Sequence, residues 1–158
     1  MSKNKRIKGT DSSSLENLKL HIKETNSRKC IISLEKVINC KDYGLCLDSN
    51  HSQFKNQNSK YYNTKLIKLF HFLSQKTWDE IYQLKKNSEN GYEHMQIEEI
   101  EANNVKTHFI KNCSKNKDDK FDVFRFGNQE FRACGFRKED TFYLVCIDYD
   151  YSLYKHKH

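Results

Sequence analysis

Three arginines near the end of the sequence are the side chains whose type and spacing first suggest chemistry. Arg125, Arg132 and Arg137 lie within thirteen residues, although the chain contains only five arginines against 23 lysines. Lysine is sufficient for solubility, whereas the planar guanidinium grips a phosphate or a carboxylate through two parallel hydrogen bonds. The cluster therefore indicates an anionic partner, which is either an acid of the chain or a phosphate of a ligand.

The expected strand pairing places two of these arginines side by side. If residues 127–130 form a hairpin loop, Arg125 lies directly opposite Arg132 on one face of the sheet. Like charges in that relationship are destabilising, so an acid or a bound anion should lie between them. Three acids of the chain are candidates: Asp122, Glu130 and Asp148. A bound phosphate is the alternative.

The last residues of the chain carry side chains that suit an RNA ligand. Tyr154, Lys155 and His156 follow one another in the sequence. Tyrosine stacks on bases, lysine neutralises phosphates, and histidine transfers protons near neutral pH. A frayed polar terminus would explain the same residues without any function.

Composition favours a folded domain with a polyanionic partner. The 158 residues include 13% aromatics, which is more than disordered chains contain, and the formal net charge is +7. No apolar run approaches the roughly 20 residues of a membrane span, and the basic start lacks the apolar core of a secretory signal. We expect a cytoplasmic protein that does not enter a membrane.

No motif indicates a cofactor or a metal. The sequence contains no P-loop, dinucleotide fingerprint, GxSxG or HExxH, and its six cysteines form no CxxC pair. Cys40, Cys46 and His51 have irregular spacing and no fourth ligand, so a zinc site is not expected. We interpret the cysteines as reduced structural thiols, and we expect no cofactor.

Periodicity and turn residues give the elements and the fold class. Apolar spacing predicts a helix from Ser13, a helix capped by Asn63, a short helix behind a Thr77–Glu80 capping box, and a weaker helix over residues 95–112. A strand is expected over residues 30–38, with a returning strand at 45–49. From Phe121 three β-rich runs, separated by short turns, predict an antiparallel meander.

These elements predict an α+β fold, with an antiparallel sheet, a C-terminal three-stranded meander and two to three helices packed on one face. The expected organisation is a flexible basic arm at 1–12, a helix and hairpin extension at 13–60, and an α+β core at 61–158.

The run FRFGNQEFRACGFRKEDTFYLVCIDYDYSLY (124–154) resembles the C-terminal half of RelE/ParE-like toxins. There, an arginine-containing turn leads to an aromatic–arginine pair, a second strand, a short turn, an apolar strand and a late tyrosine. The RelE branch consists of ribosome-dependent mRNA endonucleases that need no metal. The resemblance thus implies a toxin-like endoribonuclease that is neutralised by an antitoxin protein and drives attack of a ribose 2′-hydroxyl on the adjacent phosphate.

The resemblance also implies roles for individual residues. Arg132 would stabilise the charge of the phosphorane, and Tyr154 would stack and transfer protons. Lys120, Arg125, Arg137 and Lys155 would hold the RNA backbone.

One departure from the family pattern leaves the activity open. Asp148 and Asp150 stand where the family usually places a basic residue. Either His156 takes over the missing role, or the chain is a non-catalytic binding module of the same fold. Such a module would inhibit a protein target or act as a phage or defence accessory protein.

Overall fold

The computed structural model describes residues 12–46 and 59–155 of the chain. The strands of its sheet are β1 (Ile31–Ser33), β2 (Tyr92–Gln96), β3 (Lys120–Phe126), β4 (Phe131–Lys138) and β5 (Thr141–Asp148). The helices are α1 (Ser12–Asn26), α2 (Ser59–Ser74), α3 (Trp78–Tyr82) and α4 (Asn103–Asn112), and a short 3-10 helix covers Ile97–Glu99. The predicted α+β class is confirmed. The predicted arm at 1–12 and His156 lie outside the described residues, apart from Ser12, which begins α1.

The C-terminal meander forms as the sequence predicts. β3 pairs antiparallel with β4, and β4 pairs antiparallel with β5. The loop at residues 127–130 sets the expected register, with Phe126 opposite Phe131 and Arg125 opposite Arg132. Gly127, Asn128 and Gln129 all have positive φ angles of 62°, 59° and 69°, which close this tight connection.

The sheet is mixed, whereas the sequence predicts an antiparallel one. β1 lies at the sheet edge and runs parallel to β5, in the strand order β1-β5-β4-β3-β2. The segment that the sequence assigns to an extension therefore contributes a strand to the main sheet. Of the returning strand expected at 45–49, the structure describes only Leu45 and Cys46, and neither is in a strand.

One face of the sheet packs against α2 and α3. Leu69 and Leu73 of α2 and Trp78 of α3 are almost completely buried there, beside Phe124 and Phe142 of the meander. The predicted capping box begins α3, because the Thr77 side chain accepts from the Glu80 amide and the Glu80 carboxylate accepts from the Thr77 amide. The first face is thus covered by two helices, as expected.

The opposite face has its own core, which the sequence prediction did not include. Val105 and Phe109 of α4 are buried against Phe121 and Cys134 of the meander. β4 is buried at six consecutive residues, so both of its faces are buried, and a strand buried on both faces needs cover on both sides of the sheet. α4 therefore packs across the sheet from α2 and α3.

The helix expected over residues 95–112 is wrong in its first part. Met95 and Gln96 belong to β2, which pairs antiparallel with β3, and α4 begins only at Asn103. Pairing with the long strand β3 outweighs the weak helical spacing of this stretch. The predicted cap Asn63 also lies within α2, where its side chain donates to the Cys46 carbonyl.

The described helices were also compared with the requirements of a membrane span. Within residues 12–46 and 59–155, no helix combines the length and the apolar character that crossing a bilayer requires.

Candidate functional site

Arg125 has an internal acid as its partner. Its Nη2 lies 3.3 Å from Glu93 Oε1, and both side chains are largely buried. Glu93 Oε2 also contacts Lys86 Nζ at 2.5 Å, so one carboxylate holds two cations. This acid is on β2, two residues away in register from Arg125, and it is none of the three acids that the sequence suggests.

Arg132 is buried beneath the hairpin loop. The residue is 4% exposed, and its Nη1 donates to the carbonyl oxygens of Gln129 at 2.5 Å and Phe131 at 3.1 Å. Its guanidinium lies over the ring of Tyr151, 4.9 Å from the centroid. As placed, Arg132 holds the loop and cannot reach a large ligand.

Asp148 lies across the β4–β5 pair from Arg132 and is completely buried. Burial raises the pKa of its carboxyl from 3.8 to about 6, opposed by backbone amides such as that of Ser152, which donates to Oδ1 at 3.1 Å. Among the described residues, Asp148 Oδ2 and Arg132 Nε have no hydrogen-bond partner. Arg132 and Asp148 are therefore neighbours on adjacent buried strands but form no direct ion pair.

Gln129 connects this arginine pair to its surroundings. Its backbone carbonyl accepts from Arg132 and from the Tyr151 hydroxyl at 2.9 Å, and its side-chain oxygen accepts from Arg125 at 3.4 Å. Its side-chain amide donates to the Asn87 carbonyl at 3.1 Å. A residue with a positive φ is therefore fixed by four groups, which makes the hairpin loop a rigid part of the site.

A polar depression, here called the β2 groove, lies beside Arg125. It encloses about 510 Å³ and is lined by Lys86, Asn87, Glu93, His94, Met95, Glu99, Arg125, Tyr154 and Lys155. It collects three residues that the sequence nominates: Arg125, Tyr154 and Lys155. The exposed cations Lys86 and Lys155 stand at its rim, with side chains 59% and 84% exposed.

Tyr154 enters the groove wall with its ring buried. Its backbone forms an isolated antiparallel β-bridge with Ile100, and its hydroxyl oxygen has almost no exposed surface. Burial is the main reason that the pKa of this hydroxyl is raised above its usual value, which keeps its proton in place. This position suits a structural or stacking role better than proton transfer.

Lys120 does not line this groove, although it pairs in register with Gln96, the residue after Met95 of the groove. It begins β3 and is exposed, whereas Arg125 lies five residues further along the same strand, roughly 17 Å away. Arg137 is also separated, since it lies five residues from Arg132 on β4 and so faces the other side of the sheet. The predicted RNA-binding residues therefore do not form one surface.

Arg137 belongs to a second polar site that sequence patterns did not reveal. Its guanidinium stacks 4.5 Å from the Trp78 ring centroid and 5.5 Å from that of Tyr82, and its Nη1 donates to the Tyr82 hydroxyl at 2.7 Å. Its Nε also donates to the Glu139 carbonyl. The cation is thus oriented before any ligand binds.

The neighbours of Tyr82 complete this second site. His94 Nδ1 lies 3.1 Å from Asp122 Oδ1, and the Tyr92 hydroxyl donates to the same oxygen at 2.7 Å. The Tyr82 ring packs against both His94 and Tyr92. We call these residues, with Arg137, the histidine cluster. His94 faces Asp122 in register across β2 and β3, a relationship that becomes visible only when β2 is known to be a strand.

Known proteins offer no guide to either site. No protein-family model matches the chain, and no curated protein or solved structure matches it. In the part of the chain that the structure describes, no group of three or more histidines, cysteines or acids has the arrangement of a metal site. The functional proposal therefore rests on the residues of the β2 groove and the histidine cluster.

Proposed function

We propose that the protein binds single-stranded RNA in the β2 groove and cleaves it without a metal, as a toxin-like endoribonuclease of the cytoplasm. The observation that carries the proposal is the meeting of Arg125, Tyr154 and Lys155 in one groove, from two distant parts of the sequence. A net charge of +7 supports an RNA ligand. An mRNA on the ribosome is the expected substrate, and an antitoxin protein is the expected regulator.

The groove suits a backbone of phosphates more than a single small anion. Lys86 and Lys155 are exposed at its rim, so each can contact a phosphate, and Lys86 does so while it stands beside the largely buried Glu93. Such contacts release condensed counterions and supply most of the affinity of non-specific nucleic-acid binding. Arg125 lies deeper in the groove and pairs with Glu93. This pairing fixes the Arg125 side chain and leaves only part of its charge available to a ligand.

A non-catalytic binding module is the second candidate. Its support is the burial of Arg132 and of the Tyr154 hydroxyl, two of the three groups to which the family resemblance assigns catalysis. The carboxylates of Glu93 and Glu99 in the groove also favour a protein ligand with its own cations over a uniform polyanion. Such a module would bind a protein target and leave RNA intact.

Controlled expression in a bacterial host separates the two candidates. The full chain should arrest growth and generate new RNA fragments with 5′-hydroxyl ends, the product of attack by the 2′-hydroxyl. The double variant Lys86→Ala/Lys155→Ala should relieve the arrest, whereas Lys68→Ala, an exposed lysine of α2, should not. Normal growth and unchanged RNA ends, with folded protein present at high level, would reject cleavage. Arrest without new ends would favour the binding module.

A further inference from the structure

His94 is held in position by a buried carboxylate while its ring remains accessible. Its side chain is 44% exposed, whereas Asp122, which contacts its Nδ1, is only 4% exposed. A carboxylate on one imidazole nitrogen fixes the orientation of the ring. A ligand at the surface can therefore meet a histidine whose second nitrogen is oriented by the fold.

The Tyr92 hydroxyl lies at the second ring nitrogen of His94. Its Nε2 lies 2.7 Å from the Tyr92 hydroxyl, which itself lies 2.7 Å from Asp122 Oδ1. When the imidazole is neutral, Tyr92 donates to Nε2; when it is charged, Nε2 donates to Tyr92 and Tyr92 donates to Asp122. Burial and the nearby Asp122 raise the pKa of Tyr92, so this hydroxyl keeps its own proton throughout.

Arg137 supplies a positive charge that is linked to His94 through the Tyr82 side chain. Trp78, Tyr82 and the Glu139 carbonyl fix its guanidinium, and the Tyr82 hydroxyl that it contacts belongs to a ring 6.2 Å from the His94 ring. Within the described part of the chain, its Nη2 makes no hydrogen bond, and this nitrogen is not buried. A phosphate oxygen can bind there without displacing any protein group.

The histidine cluster and the β2 groove lie on opposite faces of the sheet and meet at the edge strand β2. His94 belongs to the cluster through its side chain and also lines the groove. β2 is the edge strand of the sheet, so a nucleic-acid strand that crosses this edge can contact Lys86 and the cluster together.

We propose that the histidine cluster is the acid–base site for RNA phosphodiesters, in which His94 accepts the 2′-hydroxyl proton and Arg137 binds the phosphate. The 2′-oxygen forms a bond to phosphorus, and the bond from phosphorus to the 5′-oxygen breaks. The departing 5′-oxygen takes a proton from water, and His94 later returns its proton to solvent. The products are a 2′,3′-cyclic phosphate and a 5′-hydroxyl. During attack the 2′-hydroxyl replaces Tyr92 at Nε2, and the Tyr92 hydroxyl donates to Asp122 instead.

This inference depends on the proposed RNA cleavage. One variant distinguishes a failure of the inference from a failure of the proposed function. With purified full-length protein and a labelled RNA, His94→Gln should lower the cleavage rate by a factor of about 100 or more while RNA affinity stays within about twofold. His71→Gln, an exposed histidine of α2, should cleave as the unmodified protein does. If His94→Gln cleaves at the normal rate, the inference is overturned and the proposed function stands.

A binding experiment tests the site without requiring cleavage. RNA with 2′-O-methyl groups, which cannot react, should shift the ¹⁵N resonances of the His94 imidazole, and Arg137→Gln should remove most of that shift. RNA that binds without moving these resonances would overturn the site even if cleavage occurs. If the resonances move but no RNA is ever cleaved, phosphate binding at the cluster is supported and the proton-transfer role is overturned.

Discussion

Arg125 and Arg132 lie directly opposite each other on β3 and β4, and both donate hydrogen bonds to Gln129. Repulsion between the two is relieved by separate partners, because Arg125 pairs with Glu93 while Arg132 turns under the loop towards backbone carbonyls. The acids Glu93 and Asp148 flank the pair from β2 and β5. The arginines thus stabilise the hairpin loop, and Arg125 also lines the β2 groove.

Removing the acid that serves Arg125 should destabilise the fold. In Glu93→Gln, two largely buried arginines would face each other with no carboxylate beside Arg125. We expect the free energy of unfolding to fall by about 2–3 kcal/mol in a urea titration at pH 7. Glu98→Gln, at an exposed position, should change it by less than about 0.5 kcal/mol. Equal effects of the two substitutions would show that the buried pair is not structurally important.

Stability should depend on pH through Asp148. The pKa of this carboxyl is about 6 in the folded protein against 3.8 ordinarily, so the folded state binds the proton more tightly than the unfolded state. This contribution is complete below about pH 4 and is lost as the pH rises through 6; it amounts to about 3 kcal/mol.

The test compares Asp148→Asn with the unmodified chain by urea unfolding at several pH values. The variant should gain stability relative to the unmodified chain between pH 4 and pH 7, because its amide does not ionise. Asp118→Asn, at an exposed position, should show no such trend. A constant difference between Asp148→Asn and the unmodified chain across this range would contradict the proposed burial cost.

The capping box of α3 should also affect the position of Arg137. The reason is that α3 carries Trp78 and Tyr82, which hold the Arg137 side chain. Thr77→Ala removes one cap hydrogen bond and should cost about 1 kcal/mol of unfolding free energy in thermal or chemical denaturation. Thr64→Ala, at an exposed position within α2, serves as the control and should be nearly neutral. A Thr77→Ala variant as stable as the control would indicate that α3 is fixed by packing alone.

RNA affinity should depend on the two exposed lysines of the β2 groove. Each phosphate contact contributes a slope of about −0.7 to the dependence of log affinity on log salt concentration for single strands. Removing Lys86 and Lys155 together should therefore flatten the slope by about 1.4, and Lys68→Ala should leave it unchanged. Fluorescence anisotropy at several salt concentrations measures this directly. An unchanged slope in the double variant would place RNA elsewhere on the protein.

The sequence predicted the meander well because its signals are local. Strand-forming residues, the turn at 127–130 and the short turn before Thr141 are enough to set the pairing of Arg125 with Arg132. The capping box at Thr77 is likewise a short-range pattern. Successive side chains of a strand point to opposite faces of the sheet. This rule also predicts that Arg137, five residues from Arg132, faces the other side.

The missed site residues share one cause. Glu93 and His94 lie just before the stretch at 95–112 for which helical spacing predicts a helix, and their partners are about 30 residues away on β3. Only the pairing of β2 with β3 brings Glu93 to Arg125 and His94 to Asp122. Such tertiary pairing cannot be seen in a single sequence when the edge strand has no turn signal of its own.

Cleavage of RNA by the purified protein in the presence of EDTA tests the central claim most directly. The full-length chain should cut a ribosome-bound or free mRNA and leave 2′,3′-cyclic phosphate and 5′-hydroxyl ends, which mass spectrometry identifies. The same RNA with a 2′-deoxy sugar at the cut site should remain intact. Persistent absence of cleavage by folded protein, with and without ribosomes, would contradict the account.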